Sequence, residues 1–200
     1  MTNSSPVGTG RVRESGMPER MLWESFFEPK EVLESFGISC NSRVLELGAG
    51  YGTFSEAVAS QCRELVTSEV DACLAQDVMS RVTDAHCQNV LMINGDFFEL
   101  QNFRDLGKFD EILLFNILHM EQPIPFLEGL REVSVSNSLI HVMHWRTDVE
   151  TPRGPPPAIR STPDQCIQWF ESAGFSYYRV VPLKGAIHHF GLTFSASPLG

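Results

Sequence analysis

VLELGAGYGTF, residues 44–54, joins an apolar run to three glycines, Gly48, Gly50 and Gly52, each two positions apart. An apolar strand, then glycines, then a helix is the arrangement of a nucleotide-binding α/β turn. Lacking Cβ, such glycines let a ligand approach the backbone and permit unusual dihedrals. The spacing narrows the ligand. A dinucleotide fingerprint reads G-x-G-x-x-G, whereas this turn reads G-A-G-Y-G. A P-loop needs Gly-Lys-Ser/Thr, and Gly52 is followed by Thr53 without a lysine. Glu46, two residues before the first glycine, suits a cationic ligand better than a pyrophosphate.

Outward from this turn the chain alternates between strand-like and helix-like segments. Apolar runs lie at 43–47, 64–69, 89–94, 111–116 and 138–145, and β-branched and aromatic runs follow at 175–183 and 188–195. Helix signals lie between them at 53–61, 71–82, 125–135 and 163–173. The last carries Thr162 as N-cap, Pro163 at N1, Gln165 to complete a capping box and Gly174 to end it. Near-continuous apolar strands separated by helices predict a buried, mostly parallel sheet of seven strands wrapped by helices. No helix separates the last two strands, so they should form an antiparallel hairpin at the edge. Before the sheet, residues 1–16 read as flexible without a ligand. Helical segments follow, with Pro29 at a first turn and Gly37 at a C-cap. The division expected is a flexible N-terminus with lid or packing helices over 1–42 and a ligand-binding domain over 43–200, a single domain overall.

Two hundred residues with 42% hydrophobic content suffice for one sizeable core. A net charge of −10 argues against a surface that tracks nucleic acid, which needs clustered Lys and Arg. Five scattered cysteines without a C-x-x-C pair read as reduced thiols rather than a disulfide framework or zinc site. No signal peptide or membrane-spanning run is apparent, so a soluble cytoplasmic protein is expected.

The run Glu46–Leu47–Gly48–Ala49–Gly50–Tyr51–Gly52 fits E/D-x-G-x-G-x-G, and from 43 to 195 the chain resembles the class I S-adenosylmethionine-dependent methyltransferases. The resemblance implies a Rossmann-like, doubly wound sheet and S-adenosylmethionine as cofactor. It implies that Glu46 and the 48–52 turn hold the cofactor, with Glu46 near its positive end. Glu69, at the end of the second strand beside Val70, would hold both ribose hydroxyls, because a carboxylate accepts two hydrogen bonds at once. Asp71 is better placed as a helix N-cap. Asp96 would accept from the adenine amino group and Phe97 would pack on the ring; the alternative for Asp96 is a Gly-Asp turn. Asn116, with Ile117 and Leu118, would floor the methionine part.

Methyl transfer from a sulfonium asks mainly for alignment and exclusion of water. Members that methylate nitrogens of adenine, cytosine or glutamine often carry N/D-P-P-Y/F after the fourth strand, and here Asn116 is followed by Ile-Leu-His. FNILHMEQP instead resembles small-molecule methyltransferases, with His119 at the pocket mouth or simply packing the next turn. The expected acceptor is therefore a small molecule. Alternatives are an RNA or protein acceptor, or cofactor binding without catalysis. His119 and His144 are the catalytic candidates, and Trp145 lies near the pocket. Arg146, Arg153 and Arg160, in a long Pro-rich loop with Asp148, would bind an anionic acceptor or else be solvated charges. His188 and His189 point oppositely on a strand, so no metal site is expected. Trp23, Phe26 and Phe27 would form a lid or pack the N-terminal helix. Expected partners are that acceptor, without nucleic acid or membrane, in a monomer or homodimer.

Overall fold

The computed structural model describes residues 17–198, so the flexibility expected of 1–16 concerns residues outside the described part. Two short helices, α1 (Arg20–Glu24) and α2 (Pro29–Phe36), precede β1 (Arg43–Leu47). Then come α3 (Ser55–Gln61), β2 (Glu64–Glu69), α4 (Ala72–Asp84), β3 (Val90–Asn94), α5 (Gln101–Arg104), β4 (Phe109–Phe115), α6 (Pro123–Val133) and β5 (Ser134–Trp145). A 3-10 turn at Pro157–Ile159, α7 (Pro163–Ser172), β6 (Ser176–Val181) and β7 (His189–Ser195) complete the chain.

The strands form one seven-stranded sheet in the order β3-β2-β1-β4-β5-β7-β6. All pairs are parallel except those of β7, which runs antiparallel between β5 and β6. The order reverses at β1, and in open α/β sheets the crevice at such a switch point, beyond the carboxyl ends of the strands, is where ligands bind. This is the Rossmann-like, doubly wound fold that the sequence implies.

Local chemistry sets the boundaries. Gly37 ends α2 in the left-handed conformation at φ 77, and Thr162 and Gln165 form the expected capping box on α7. Asp71 caps α4 by accepting from the amides of Cys73 and Leu74. The α5 turn carries no cap or apolar stripe, and only Phe103 anchors it in the core. Strand β5 starts at Ser134, four residues earlier than its apolar run, because it leaves α6 without a loop.

Two apolar clusters cover the two faces of the sheet. One packs α6 and α7 through Leu127, Leu130, Cys166 and Phe170 against Ile112, Leu114, Ile140 and Val142. The other packs α2 and α3 through Val32, Phe36 and Val58 against Val44, Leu113 and Met143. Between strands sits a buried polar network. Glu111 on β4 accepts from the amide of Ser39 at 2.9 Å, from the Ser42 hydroxyl, and bonds Nε2 of His141 on β5 at 2.9 Å. The other ring nitrogen of His141 meets Oγ1 of Thr193 on β7 at 3.1 Å.

Burial pushes the Glu111 carboxyl up, but the hydrogen bond and charge of His141, with Ser42 and Ser39, outweigh it and hold the group below the ordinary 4.5. A carboxylate depressed in the folded state stabilises the fold above its unfolded value, and that stability is lost as pH falls through the folded value. Glu111→Ala, which strands the buried partner, should cost about 3–5 kcal/mol in denaturant unfolding. Glu111→Gln should show a smaller loss of stability than wild type on acidification below about pH 4.5. A wild-type acid profile in Glu111→Gln would remove Glu111 as the responsible group.

Candidate functional site

At the carboxyl ends of β2, β1, β4 and β5 lies a cavity of about 340 Å³. That is the low end of the roughly 300–1,000 Å³ typical of ligand sites. The turn after β1 forms its floor. The amides of Gly48 and Ala49 donate to the Ser68 carbonyl at 3.0 and 2.8 Å, which bends the chain back across β2. Gly50 and Gly52 use their missing Cβ differently. Gly50, at φ 56, faces the cavity, with only the Met17 sulfur near where a Cβ would stand. At Gly52 a Cβ would lie 2.9 Å from Cγ2 of Val78, so that glycine serves the packing of α4.

Glu69 ends β2, nearly buried, and lines the cavity. One of its oxygens accepts from the amide of Gly50 at 2.8 Å, the other from that of Asp71 at 3.0 Å. Asp71 itself is spent on the α4 cap. Glu46, on the neighbouring strand β1, also lines the cavity, with one oxygen accepting from Ser55 at 2.6 Å and Thr67 at 2.8 Å. Burial raises the Glu46 carboxyl above 4.5; the two hydroxyls offset part of this, and the charge of Glu69 adds to it.

Asn116 follows β4 at φ 60, a left-handed conformation that Asn tolerates better than most residues, with its amide fixed on the Met143 carbonyl at 2.8 Å. Both polar atoms of its carboxamide are buried in the cavity wall with no partner among the described residues. Ile117, His119, Val70, Leu74 and Phe97 also line the cavity.

A strap formed by residues 17–24 covers the mouth. The Trp23 indole donates to Thr53 Oγ1 at 3.1 Å, and the Tyr51 hydroxyl donates to the Pro18 carbonyl at 3.1 Å. Arg20 pairs with Asp77, and Glu24 pairs with Arg81, both on α4. Met17 and Trp23 contribute to the lining, together with Thr53, Phe54, Phe115 and Trp145. Phe26 and Phe27 pack outside the lining, Phe26 against Trp145 and Phe27 against Trp23 and Phe54.

Of the residues singled out from sequence, Glu46, Gly48, Ala49, Gly50, Glu69, Val70, Phe97, Asn116 and His119 converge on this cavity. Others do not. Asp96 turns its carboxylate onto the amide of Phe98 at 2.9 Å, the Gly-Asp turn alternative, and lies outside the lining. Tyr51 and Gly52 act on the strap and on α4, and Leu118 is in the core. His144 is fully buried behind His119, ring centroids 5.6 Å apart. Burial, then the nearby charge of His119, pushes its imidazole down to about 3. His189 faces inward, 4.2 Å from the Trp145 ring, and burial holds it well below 6.5. Among the described residues no group of three or more His, Cys, Asp and Glu is placed to hold a metal ion.

The loop arginines do not enter the cavity. Arg146 is paired with Asp148 and Arg160 donates to three loop carbonyls, because the prolines of the loop leave carbonyls that no amide answers. Met17, Thr53, Phe54 and Phe115 were not legible as site residues. Their inclusion depends on which elements meet at the strand ends, which leaves no local signal.

Residues 28–140 match the model of a family described as ribosomal RNA adenine dimethylase, over half of the chain. Ribosomal RNA small subunit methyltransferase A of Desulforapulum autotrophicum is 32% identical over 87 residues, 44% of this chain and 30% of that protein. Protein-L-isoaspartate O-methyltransferase of Nitrobacter winogradskyi is 32% identical over 81 residues, 40% of this chain and 36% of that protein. The match thus spans about a third of these curated relatives. Among solved structures, a SAM-dependent methyltransferase from Aquifex aeolicus superposes with a TM-score of 0.74 at 21% identity, covering 86% of this chain and 91% of that one. The N-methyltransferase NodS of Bradyrhizobium japonicum gives 0.61 at 13% identity, covering 84% and 92%. At such identities these structures speak for the fold.

The family match overturns the expected small-molecule acceptor and the exclusion of nucleic acid. Net charge is an average over the whole surface and does not report what a single pocket accepts, and the absence of a Pro-Pro-aromatic run after Asn116 is a weaker signal than the match over residues 28–140.

Glu46 gives a test in the ligand-free protein. A carboxyl raised in the folded state favours folding at low pH, and that advantage is lost as pH rises above the unfolded value. Glu46→Gln, whose amide oxygen can still accept from Ser55 and Thr67, should raise the Tm at neutral pH and flatten its fall as pH rises above 4.5, as read by calorimetry. An unchanged Tm profile would mean that Glu46 is not a buried charge at neutral pH.

Proposed function

The chain belongs to the ribosomal RNA adenine dimethylase family, and on that premise we propose that it methylates the amino group of an adenine in RNA. It is an S-adenosylmethionine-dependent methyltransferase. The observation that carries the adenine is Asn116. A carboxamide buried in the cavity wall, with no partner for its NH2 or its carbonyl among the described residues, is in a costly state that a ligand hydrogen-bonded to it relieves. A primary amine beside a ring nitrogen, the edge that adenine presents, satisfies both at once.

The cavity fits the cofactor. Glu69, already aligned by two backbone amides, keeps lone pairs for the ribose hydroxyls. Val70, Leu74 and Phe97 provide an apolar slot for the adenine of the cofactor, and Glu46 offers a carboxylate to its cationic end. When bound, S-adenosylmethionine supplies a methyl group on a sulfonium, already activated for displacement. Asn116 Oδ1 would accept one N–H of the acceptor amine and so orient its lone pair. His119, in the cavity wall, would take the proton that the amine sheds, a role for which His144, behind it and pushed down to about 3, is less suited. Trp23, Phe115 and Trp145 close the cavity wall and exclude water.

A second reading, a protein acceptor, is favoured by the isoaspartate methyltransferase relative and by the cavity's lack of Lys or Arg. Incubation with labelled S-adenosylmethionine and small-subunit ribosomal RNA, followed by nucleoside mass spectrometry, should give N6-methylated adenosine. Label in added protein and none in RNA would replace the first reading by the second. Asn116→Ala should lower kcat/KM for RNA about 10- to 100-fold, the 1–3 kcal/mol of a bidentate base contact, while leaving cofactor affinity near wild type. Glu69→Ala should show the reverse pattern, weakening cofactor binding by roughly 1–3 kcal/mol in calorimetry.

A further inference from the structure

We propose that Arg160 is a positioning residue that holds Trp145 as the wall of the cavity's acceptor end, an assignment that rests on the methyl transfer to RNA proposed above. The cavity runs along the strand ends. Glu69 stands at the end of β2 and Trp145 at the end of β5, three strands away in the order β2-β1-β4-β5. At roughly 4.8 Å per strand this is about 14 Å. The ribose-binding carboxylate marks one end of this span, so the end at Trp145 falls to the acceptor.

Trp145 lines the cavity, yet only 1% of it is exposed. The loop after β5 covers its back. The Arg160 guanidinium lies 5.5 Å from the ring centroid, and a Cβ on Gly154 would stand 2.8 Å from two ring carbons. On other sides the ring meets Phe26 at 5.7 Å, Trp23 at 6.2 Å and His189 at 4.2 Å.

Arg160 has no carboxylate partner among the described residues and turns its guanidinium onto backbone carbonyls instead. Its Nε donates to the Pro155 carbonyl at 2.8 Å, Nη1 to that of Arg146 at 2.9 Å and Nη2 to that of Arg153 at 3.3 Å. One planar fork thereby ties three points of a loop whose only regular structure is a 3-10 turn. The loop in turn fixes the tryptophan. A lysine keeps the charge but, as a single ammonium on a flexible stem, cannot bridge three carbonyls in one plane.

Two variants test this independently: Arg160→Lys, which releases the loop, and Gly154→Ala, which presses on the ring and strains a backbone at φ 112. For both, KM for RNA should rise about tenfold as the wall at the acceptor end loses its position, with kcat near wild type. The calorimetric Kd for S-adenosylhomocysteine should be unchanged, which also certifies the fold. Acrylamide should quench a larger share of the tryptophan emission in Arg160→Lys, and the increase should vanish in a Trp145→Phe background. Unchanged KM in both variants overturns the assignment, as does an equal loss of cofactor affinity, which would mark a general loosening. Should the wild type methylate no RNA, the acceptor reading falls on that result. Quenching then decides the role of Arg160 alone: an unchanged profile overturns it, and a Trp145-dependent increase supports it.

Discussion

The Gly50 amide donates to one oxygen of the Glu69 carboxylate and the Asp71 amide to the other, at 2.8 and 3.0 Å. This one group fixes the turn after β1 against the start of α4, and the remaining walls are arranged around that junction. Charge-assisted bonds of this kind are about twice as strong as neutral ones, and a carboxylate has about four lone-pair sites, so two amides do not exhaust it. The carboxylate that shapes the turn also lines the cavity. On the proposed function, binding at this end needs little rearrangement and completes a hydrogen-bonding pattern that folding has begun.

Parallel strands buried on both faces are near-continuous apolar runs, which made the sheet readable from residues 43–47 onward. Cap chemistry separated Glu69 from Asp71, because a side chain that accepts from the first-turn amides of α4 is committed there. Long-range placement was not readable. Met17 and Trp23 reach the cavity only because the strap crosses to Asp77 and Arg81 of α4, far along the chain. Asp96, after β3, gives one carboxylate oxygen to the Gly-Asp turn and lies outside the cavity lining, a placement that its local sequence does not carry. Arg160 carries no sequence signal that its charge is turned onto backbone carbonyls.

The acidity of the chain and its family look discordant until the surface and the cavity are separated. Arg20, Arg43, Arg63, Arg81, Arg104 and Arg146 all lie in ion pairs, and Arg131 and Arg179 donate to carbonyls of their own chain. Such cations balance local acids more than they build a field for phosphates. The cavity offers what phosphates do not need, aromatic faces and a carboxamide. On the proposed function, discrimination rests on contacts to the group being methylated rather than on a cationic field.

Asn116 answers two demands with one residue. Its backbone must sit at φ 60 to carry the chain from β4 across the Met143 carbonyl, and its side chain must present a donor and an acceptor in a dry wall. Few residues meet both. Glycine satisfies the backbone and offers no polar atoms; aspartate tolerates the backbone but offers no donor; glutamine keeps the amide at the expense of the dihedral. The position is thus nearly closed to substitution from two unrelated directions, and drift in this chain should find its room elsewhere on the cavity wall.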